Sequence, residues 1–129
     1  MLGWGREDNV PRGVAEPLYA RAMFVEGRDD GRALAYVCAD LGMIAAGLRV
    51  AVLDRLAEDH SDLGLDAASV VLTATHTHSG PSGFSHALFY DLAGPGFSKR
   101  VFDDLVGGIV LSILDAHRRL VPASLELGV

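Results

Sequence analysis

The sequence predicts an α/β fold with a mixed sheet, and three observations support this prediction. Two segments of loosely alternating apolar residues, 19–26 and 33–39, flank Gly27-Arg28-Asp29-Asp30-Gly31, which is a β-hairpin turn signal. The hydrophobic period then changes to that of a helix over residues 44–60. A continuous apolar run over residues 69–75 follows, as is typical of a buried strand parallel to its predecessor. These segments predict a β-hairpin and a βαβ crossover.

The two main helices are predicted from apolar faces at helical spacing. The first helix carries one such face, formed by Ile44, Leu48, Ala51, Val52 and Leu56. Ser98 is a plausible N-cap for the second helix, which Pro122 stops. The predicted core face of that second helix comprises Val101, Leu105, Gly108, Ile109, Ile113 and Ala116. We expect both helices on one face of the sheet if the crossover is right-handed, and a further strand starting over residues 124–127.

Composition limits the function classes. With 129 residues, of which 50% are hydrophobic, and a mean hydropathy of +0.26, the chain is long and apolar enough for one domain with a real core. The net charge is −6 and no basic stripe is visible, so nucleic acid is not an expected partner. The N-terminus does not have the pattern of a signal peptide, and no apolar run reaches the roughly 18 residues of a membrane span. The single cysteine, Cys38, excludes an intrachain disulfide and is predicted to be a small core residue.

The chemistry-bearing motif is Thr75-His76-Thr77-His78-Ser79-Gly80-Pro81, directly after the last buried strand. Side chains at positions i and i+2 of a strand point to the same face, so we expect His76 and His78 to project together from the strand end. Open α/β sheets place their sites at this edge. Imidazole is a common zinc ligand and a proton carrier near neutral pH. From spacing alone, a ligand and a hydrogen-bonded strand-end histidine are both open interpretations for His76.

A loop of nearly twenty residues, 79–97, starts at these histidines and includes a predicted short helical turn over 86–92. Loops of this length inside a compact domain are more often functional than not. The aromatic residues over 84–90 are equally compatible with core packing and with a substrate wall.

The remaining polar candidates have simpler interpretations. We expect His86 to be a solvated loop residue, and His60 and His117 to complement helix C-termini. Asp40 follows a buried strand, where it either caps the next helix or serves the site, and the capping role is favoured.

Residues 73–86, Thr73-Ala74-Thr75-His76-Thr77-His78-Ser79-Gly80-Pro81-Ser82-Gly83-Phe84-Ser85-His86, strongly resemble the signature of the neutral/alkaline (non-lysosomal) ceramidases. Similar segments occur in order along the chain, namely Met1-Leu2-Gly3-Trp4, Arg21-Ala22-Met23-Phe24, Asp40-Leu41-Gly42-Met43-Ile44 and Gly108-Ile109-Val110-Leu111-Ser112-Ile113. Ser82 departs from the glycine of many members. Essentially the whole chain is similar to this family.

The resemblance implies a zinc-dependent amidase that hydrolyses the N-acyl bond of ceramide, or of a related N-acyl sphingolipid, to sphingosine and fatty acid. It implies that His76 is a zinc ligand, that His78 is catalytic and contacts substrate, and that the backbone N–H of Gly3 contributes to substrate binding. The family's other zinc ligands, a second His, a Glu and a Tyr, come from further along its chains. The resemblance therefore implies that residues 1–129 are a partial N-terminal catalytic domain, part of a larger catalytic domain, which needs the downstream part of the same chain as its partner.

Two alternatives to this interpretation remain. One is a non-catalytic α/β remnant or interaction module of the same fold. The other, a zinc amidohydrolase barrel of the His-x-His type, is disfavoured because the motif follows a hairpin and a helix rather than opening the first barrel strand. Peripheral contact with a membrane surface fits the lipid substrate that the resemblance implies. Only the resemblance suggests a secreted or cell-surface location, and the sequence does not identify a compartment.

Overall fold

A computed structural model describes residues 12–91, 96–126 and 128 of the chain. The elements occur in the predicted order, namely β1 (Ala20–Glu26), β2 (Ala33–Ala39), α1 (Ala46–Asp59), a short 3-10 turn (Ser61–Leu63), β3 (Val70–Ala74), α2 (Leu88–Asp91) and α3 (Lys99–Arg118). This confirms the α/β fold with two main helices. Among the described residues, no helix combines the length and apolarity that spanning a membrane requires.

The sheet is mixed, as predicted, with the strand order β1-β2-β3. Strand β1 runs antiparallel to β2, with Ala20 opposite Ala39, and β2 runs parallel to β3, with Ala39 opposite Ala74. The hairpin closes through the Gly27 N–H, which donates to the Arg32 carbonyl at 2.8 Å. Gly31 has a φ of +61°, a conformation that glycine adopts without steric cost. Because β2 and β3 are parallel, their carboxyl ends meet at one edge of the sheet.

The hydrophobic core lies between one face of the sheet and both long helices. It joins the inward residues of β2 to Leu48, Val52 and Leu56 of α1 in a single cluster. The buried residues of α3 are Val106, Ile109, Val110 and Ile113. The predicted face of α3 is therefore only partly correct: Val101, Leu105 and Ala116 are half-buried, and Gly108 is exposed. Since α3 packs against both α1 and the sheet, its contact face is rotated from the one that simple periodicity selects.

No described helix covers the opposite face of the sheet. Met23 is 51% exposed there, and Leu34, Tyr36 and Val71 are each 39% exposed. Cys38 belongs to this face and is half-buried, so it is not the core residue that the apolar run predicted. The cause is register, because Ala35, Val37 and Ala39 are the β2 residues that face the helices.

Two local predictions are wrong. Helix α1 has Ala45 at its N-cap and no side-chain cap, so Asp40 does not cap it. Residues 124–126 form no strand in the described part of the chain. In contrast, Ser98 caps α3 as predicted, because its side chain accepts a hydrogen bond from the Val101 N–H at 3.4 Å.

Candidate functional site

The site lies at the edge where the parallel strands β2 and β3 both end. The Thr75 N–H still donates to the Ala39 carbonyl at 3.0 Å, which holds the two strand ends together. Strand β3 ends at Ala74, and His76 has a φ of +62°, the left-handed region that side chains other than glycine rarely adopt. His76 and His78 therefore lie in a turn, and the two-residue period of a strand is not the reason why their side chains meet.

The two imidazoles nevertheless come together. Their ring centroids are 5.0 Å apart with an interplanar angle of 72°, and the two Nε2 atoms are 3.4 Å apart. The Nδ1 atom of His76 lies 2.7 Å from the carbonyl oxygen of Gly42. Because a carbonyl only accepts hydrogen bonds, this contact assigns the proton of neutral His76 to Nδ1 and leaves the lone pair on Nε2. The predicted proximity of the two side chains is thus confirmed, but the sequence did not indicate the Gly42 contact of His76.

The pair can hold part of a metal site. Two nitrogens on a tetrahedral zinc ion are about 3.3 Å apart, as follows from Zn–N distances of roughly 2.0–2.1 Å. The observed Nε2–Nε2 separation of 3.4 Å fits that spacing, and it also fits an N–H···N hydrogen bond between the rings. Within the described residues, no group of three or more His, Cys, Asp or Glu side chains could hold a metal ion. Two imidazoles do not by themselves complete a zinc site.

The carboxylate of Asp40 ties the start of β1 to the end of β2, beside the histidine turn. Its Oδ1 accepts from Arg21 Nη1 at 2.8 Å, and its Oδ2 accepts from the Tyr19 N–H at 3.0 Å. The Arg21 hydrogen bond, followed by that of Tyr19, holds the pKa of Asp40 below its usual value, and the Thr75 hydroxyl adds to this. Asp40 therefore belongs to the edge of the sheet that carries the site.

This arrangement predicts an acid dependence of stability. Because the folded pKa of Asp40 is lowered, its contribution is complete above the unfolded pKa of about 4 and is lost as the pH falls through the lower folded pKa. We expect the difference in unfolding free energy between the wild type and Asp40→Asn to be constant above about pH 5 and to shrink below about pH 4. Urea denaturation at a series of pH values measures it. A difference that grows towards acid pH would contradict the assignment.

The long loop after the motif is closed at its base by backbone contacts. Gly83 has a φ of +79°, and a Cβ atom there would lie 2.5 Å from the Gly96 carbonyl oxygen. The Gly83 carbonyl accepts a hydrogen bond from the Ser98 N–H at 2.7 Å. Phe84 follows and is fully buried in the main core, and the hydroxyl of buried Ser85 accepts from the Ala87 N–H. The loop is thus attached to the fold and connected to α3.

Gly83→Ala should destabilise the protein by about 2–4 kcal/mol. The left-handed conformation costs a non-glycine residue about 1–2 kcal/mol, and the backbone clash adds strain. Thermal and urea unfolding measure the loss. The matched control is Gly64→Ala: Gly64 has a similar φ of +63°, but a Cβ atom there would have no neighbour within 4 Å, so only the conformational cost applies. Equal losses in the two variants would contradict the role assigned to the Gly96 contact.

Some side chains over 84–90 pack in the core, and others are exposed where they could border a substrate. Phe84 is core, whereas Leu88 is 75% exposed and Phe89 is 78% exposed. His86 is exposed, as expected, but its ring also packs against Phe97 and Phe102, with centroid distances of 4.5 and 4.9 Å. The loop therefore presents apolar side chains outward from a packed base.

The other candidates lie away from the histidine pair or outside the described residues. His60 follows the end of α1, and His117, in the last turn of α3, packs on Phe24 at 5.0 Å. Gly3 lies outside the described residues. A cavity of about 770 Å³ runs between β1 and α3, and near the sheet edge it is lined by Asp40 and Pro81.

Comparison with known proteins identifies the family. The family model described as neutral/alkaline non-lysosomal ceramidase, N-terminal, matches residues 1–129. The chain is 41% identical to the neutral ceramidase of Pseudomonas aeruginosa over 99% of its own length, and 36% identical to that of Mycobacterium tuberculosis over 98%. The crystal structure of the Pseudomonas neutral ceramidase superposes with a TM-score of 0.90 and 42% identity over 95% of the chain, and so does a structure titled "Ceramidase complexed with C2".

The chain spans about one fifth of the length of these relatives, covering 19% and 20% of the two sequences and 19% of each solved chain. The matched region includes the hairpin, the crossover and the histidine turn. The chain belongs to the neutral/alkaline non-lysosomal ceramidase family and corresponds to its N-terminal part.

Proposed function

We propose that this chain is the N-terminal part of a zinc-dependent amidase that hydrolyses the N-acyl bond of ceramide or a related N-acyl sphingolipid. The family membership and the names of the relatives support the reaction class. The single observation that carries the metal assignment is the imidazole pair. The Nε2 atom of His76 lies 3.4 Å from that of His78, and the Nδ1 atom of His76 is held by the Gly42 carbonyl. Metal-bound histidines commonly have such a partner on their second nitrogen.

In this proposal, His76 holds zinc through Nε2. Zinc held there would supply Lewis-acid polarisation of the amide carbonyl and would activate water as a nucleophile near neutral pH. His78 lies beside this position, with its Nε2 3.4 Å from that of His76, and can donate a hydrogen bond to the substrate's carboxamide oxygen or to an anion there. Its role is to bind substrate and to stabilise developing negative charge. Gly3 supplies an additional backbone N–H in the same proposal.

The apolar end of the substrate requires an apolar neighbourhood. Leu88 and Phe89 are exposed on the loop that starts at the histidine turn, and the ring of Phe89 packs on Tyr90 at 5.7 Å. Exposed apolar side chains held on an anchored loop fit an acyl or sphingoid chain, or the surface of the membrane that contains it.

The 129-residue chain alone should bind zinc weakly and should not hydrolyse ceramide. The reason is that a catalytic zinc usually takes three protein ligands, and the described residues bring together only two imidazoles. Zinc titration followed by calorimetry, with a ceramide assay of the same sample, tests this. Steady turnover by the 129 residues would contradict the need for further ligands.

The decisive experiment uses the complete reading frame that contains this chain. Ceramide hydrolysis is measured before and after treatment with a zinc chelator, and again after zinc is restored. Activity that is lost and then recovered supports the proposal. A complete protein that binds zinc but does not hydrolyse ceramide, or hydrolyses it equally well with chelator, favours the alternative of a non-catalytic module or a different amidase chemistry.

A further inference from the structure

The segment between β2 and α1 begins at Asp40, whose backbone and side chain are both hydrogen-bonded to the start of the hairpin. Beyond the last strand pair, Asp40 and Tyr19 exchange two hydrogen bonds: the Asp40 N–H donates to the Tyr19 carbonyl at 2.8 Å, and the Tyr19 N–H donates to Asp40 Oδ2 at 3.0 Å. Arg21 Nη1 donates a hydrogen bond to the other carboxylate oxygen, Oδ1, at 2.8 Å, and the guanidinium lies 5.3 Å from the centre of the Tyr19 ring. Both oxygens of Asp40 are thus used to fix where the chain leaves the sheet.

The next two residues, Leu41 and Gly42, connect Asp40 to His76. The Leu41 N–H donates back to the Ala39 carbonyl at 2.8 Å, and the Leu41 side chain is buried in the core. Gly42 follows, and its carbonyl oxygen lies 2.7 Å from Nδ1 of His76. Only two peptide units therefore separate the Asp40 anchor from the group that orients the His76 ring.

The histidine turn also touches Asp40 from the other side. A Cβ atom at Gly80 would lie 3.3 Å from the Asp40 carbonyl oxygen, so the end of the turn lies directly against this residue. The segments 40–42 and 75–80 therefore meet at two points, Gly42 with His76 and Asp40 with Gly80, and His76 has its left-handed conformation at the first of them. Strained backbone of this kind persists only when the surrounding structure holds it.

We propose that Asp40 is a positioning residue for the candidate zinc site: by anchoring residues 40–42, it holds the Gly42 carbonyl against His76 and so selects the ring orientation and tautomer that present Nε2. This inference rests on the proposed function for its purpose, but the hydrogen bonds that carry it are independent of any reaction. Asp40 acts through Gly42 and does not itself need to touch metal or substrate.

The chain provides a matched control at the other end of the same hairpin. Asp30 is also an aspartate that accepts a backbone N–H, from Arg32 at 3.1 Å, and pairs with the side chain of that arginine at 3.6 Å. Asp30→Asn therefore removes the same charge from a longer and more exposed aspartate–arginine pair in the same β-hairpin, far along the strands from His76. A general effect of charge or hairpin stability should appear in both variants.

The first measurement is made on the complete protein that contains this chain, with its metal removed and its histidines labelled with nitrogen-15. Nitrogen-15 NMR shifts of the imidazoles report which nitrogen of His76 is protonated. We expect the wild type and Asp30→Asn to show a protonated Nδ1, and Asp40→Asn to show a mixture of the two tautomers. Arg21→Gln, which leaves the carboxylate with its Tyr19 contact, should give a smaller change in the same direction. It also tests the proposal if Asp40→Asn does not fold.

The second measurement is zinc affinity in the complete protein, by competition with a chromophoric chelator. Loss of a partner that orients a ligand typically weakens metal binding by about 10–100-fold, so we expect that loss for Asp40→Asn and less than about twofold for Asp30→Asn. An unchanged tautomer in both Asp40→Asn and Arg21→Gln, or equal zinc losses in the Asp40 and Asp30 variants, would overturn the proposal. Because the tautomer is read without metal or substrate, a protein inactive on ceramide would refute the proposed function and leave this result standing.

Discussion

Replacing His76 with alanine is expected to abolish measurable zinc binding at the site and to lower ceramide hydrolysis by the complete protein at least about a thousandfold. Zinc contributes several kcal/mol to the stabilisation of transition-state charge, and each 1.36 kcal/mol corresponds to a factor of about ten in rate. His76 is the histidine whose Nδ1 is occupied by the Gly42 carbonyl, so its Nε2 is the atom available to a metal. Zinc content of the purified variant and steady-state kinetics are measured together.

His78→Ala provides the informative comparison. If His78 binds substrate and stabilises charge, its loss should lower kcat/KM by about 10²–10⁴ while zinc content remains close to that of the wild type. Equal loss of zinc in both variants would show instead that His78 is a second metal ligand, which the 3.4 Å separation of the two Nε2 atoms also permits. His60→Ala, at the end of α1, is the matched control and should change neither quantity.

Phe84→Ala is expected to lower the free energy of unfolding by about 3–5 kcal/mol, the range for deletion of a buried aromatic side chain. Phe84 is fully buried in the same cluster as Leu48 of α1 and Ile113 of α3, although it belongs to the long loop. Its removal therefore leaves a cavity in the main core. Urea denaturation measures the loss.

Phe89→Ala is the control for Phe84, because it removes the same side chain from the same loop at a position that is 78% exposed. It should change stability by no more than about 0.5 kcal/mol. If Phe89 borders an acyl chain, this variant should instead raise KM for long-chain ceramides more than for short-chain ones. A stability loss as large as that of Phe84→Ala would show that Phe89 is packed and would remove it as a candidate substrate contact.

Local signals in the sequence accounted for most of the architecture. The Gly27–Gly31 turn, the change of period at residue 44 and the Ser98 cap each act within a few residues, so the hairpin, α1 and the start of α3 were predicted close to their observed bounds. The proximity of His76 to His78 was also predicted, but from the two-residue period of a strand, whereas the two side chains meet in a turn after β3 has ended. The family, confirmed by comparison, was recognisable from the ordered motifs alone.

Sequence reasoning failed where the partner is distant along the chain. Asp40 was assigned to the N-terminus of α1 because that helix follows it, whereas its carboxylate binds Tyr19 and Arg21, 21 and 19 residues earlier. The face of α3 was misjudged because α1 and the sheet contact it from different directions. Neither contact leaves a periodic signal in the sequence.

By itself, then, the sequence determined the order and type of the elements and the identity of the two histidines, since propensity, turn chemistry and spacing are properties of neighbouring residues. Only the tertiary structure decided how those histidines are presented. The left-handed backbone at His76 and its contact with the Gly42 carbonyl, 34 residues away, exist because two parallel strands end side by side. The closing of the crossover brings those strand ends together, and packing of the helices on the sheet stabilises the arrangement.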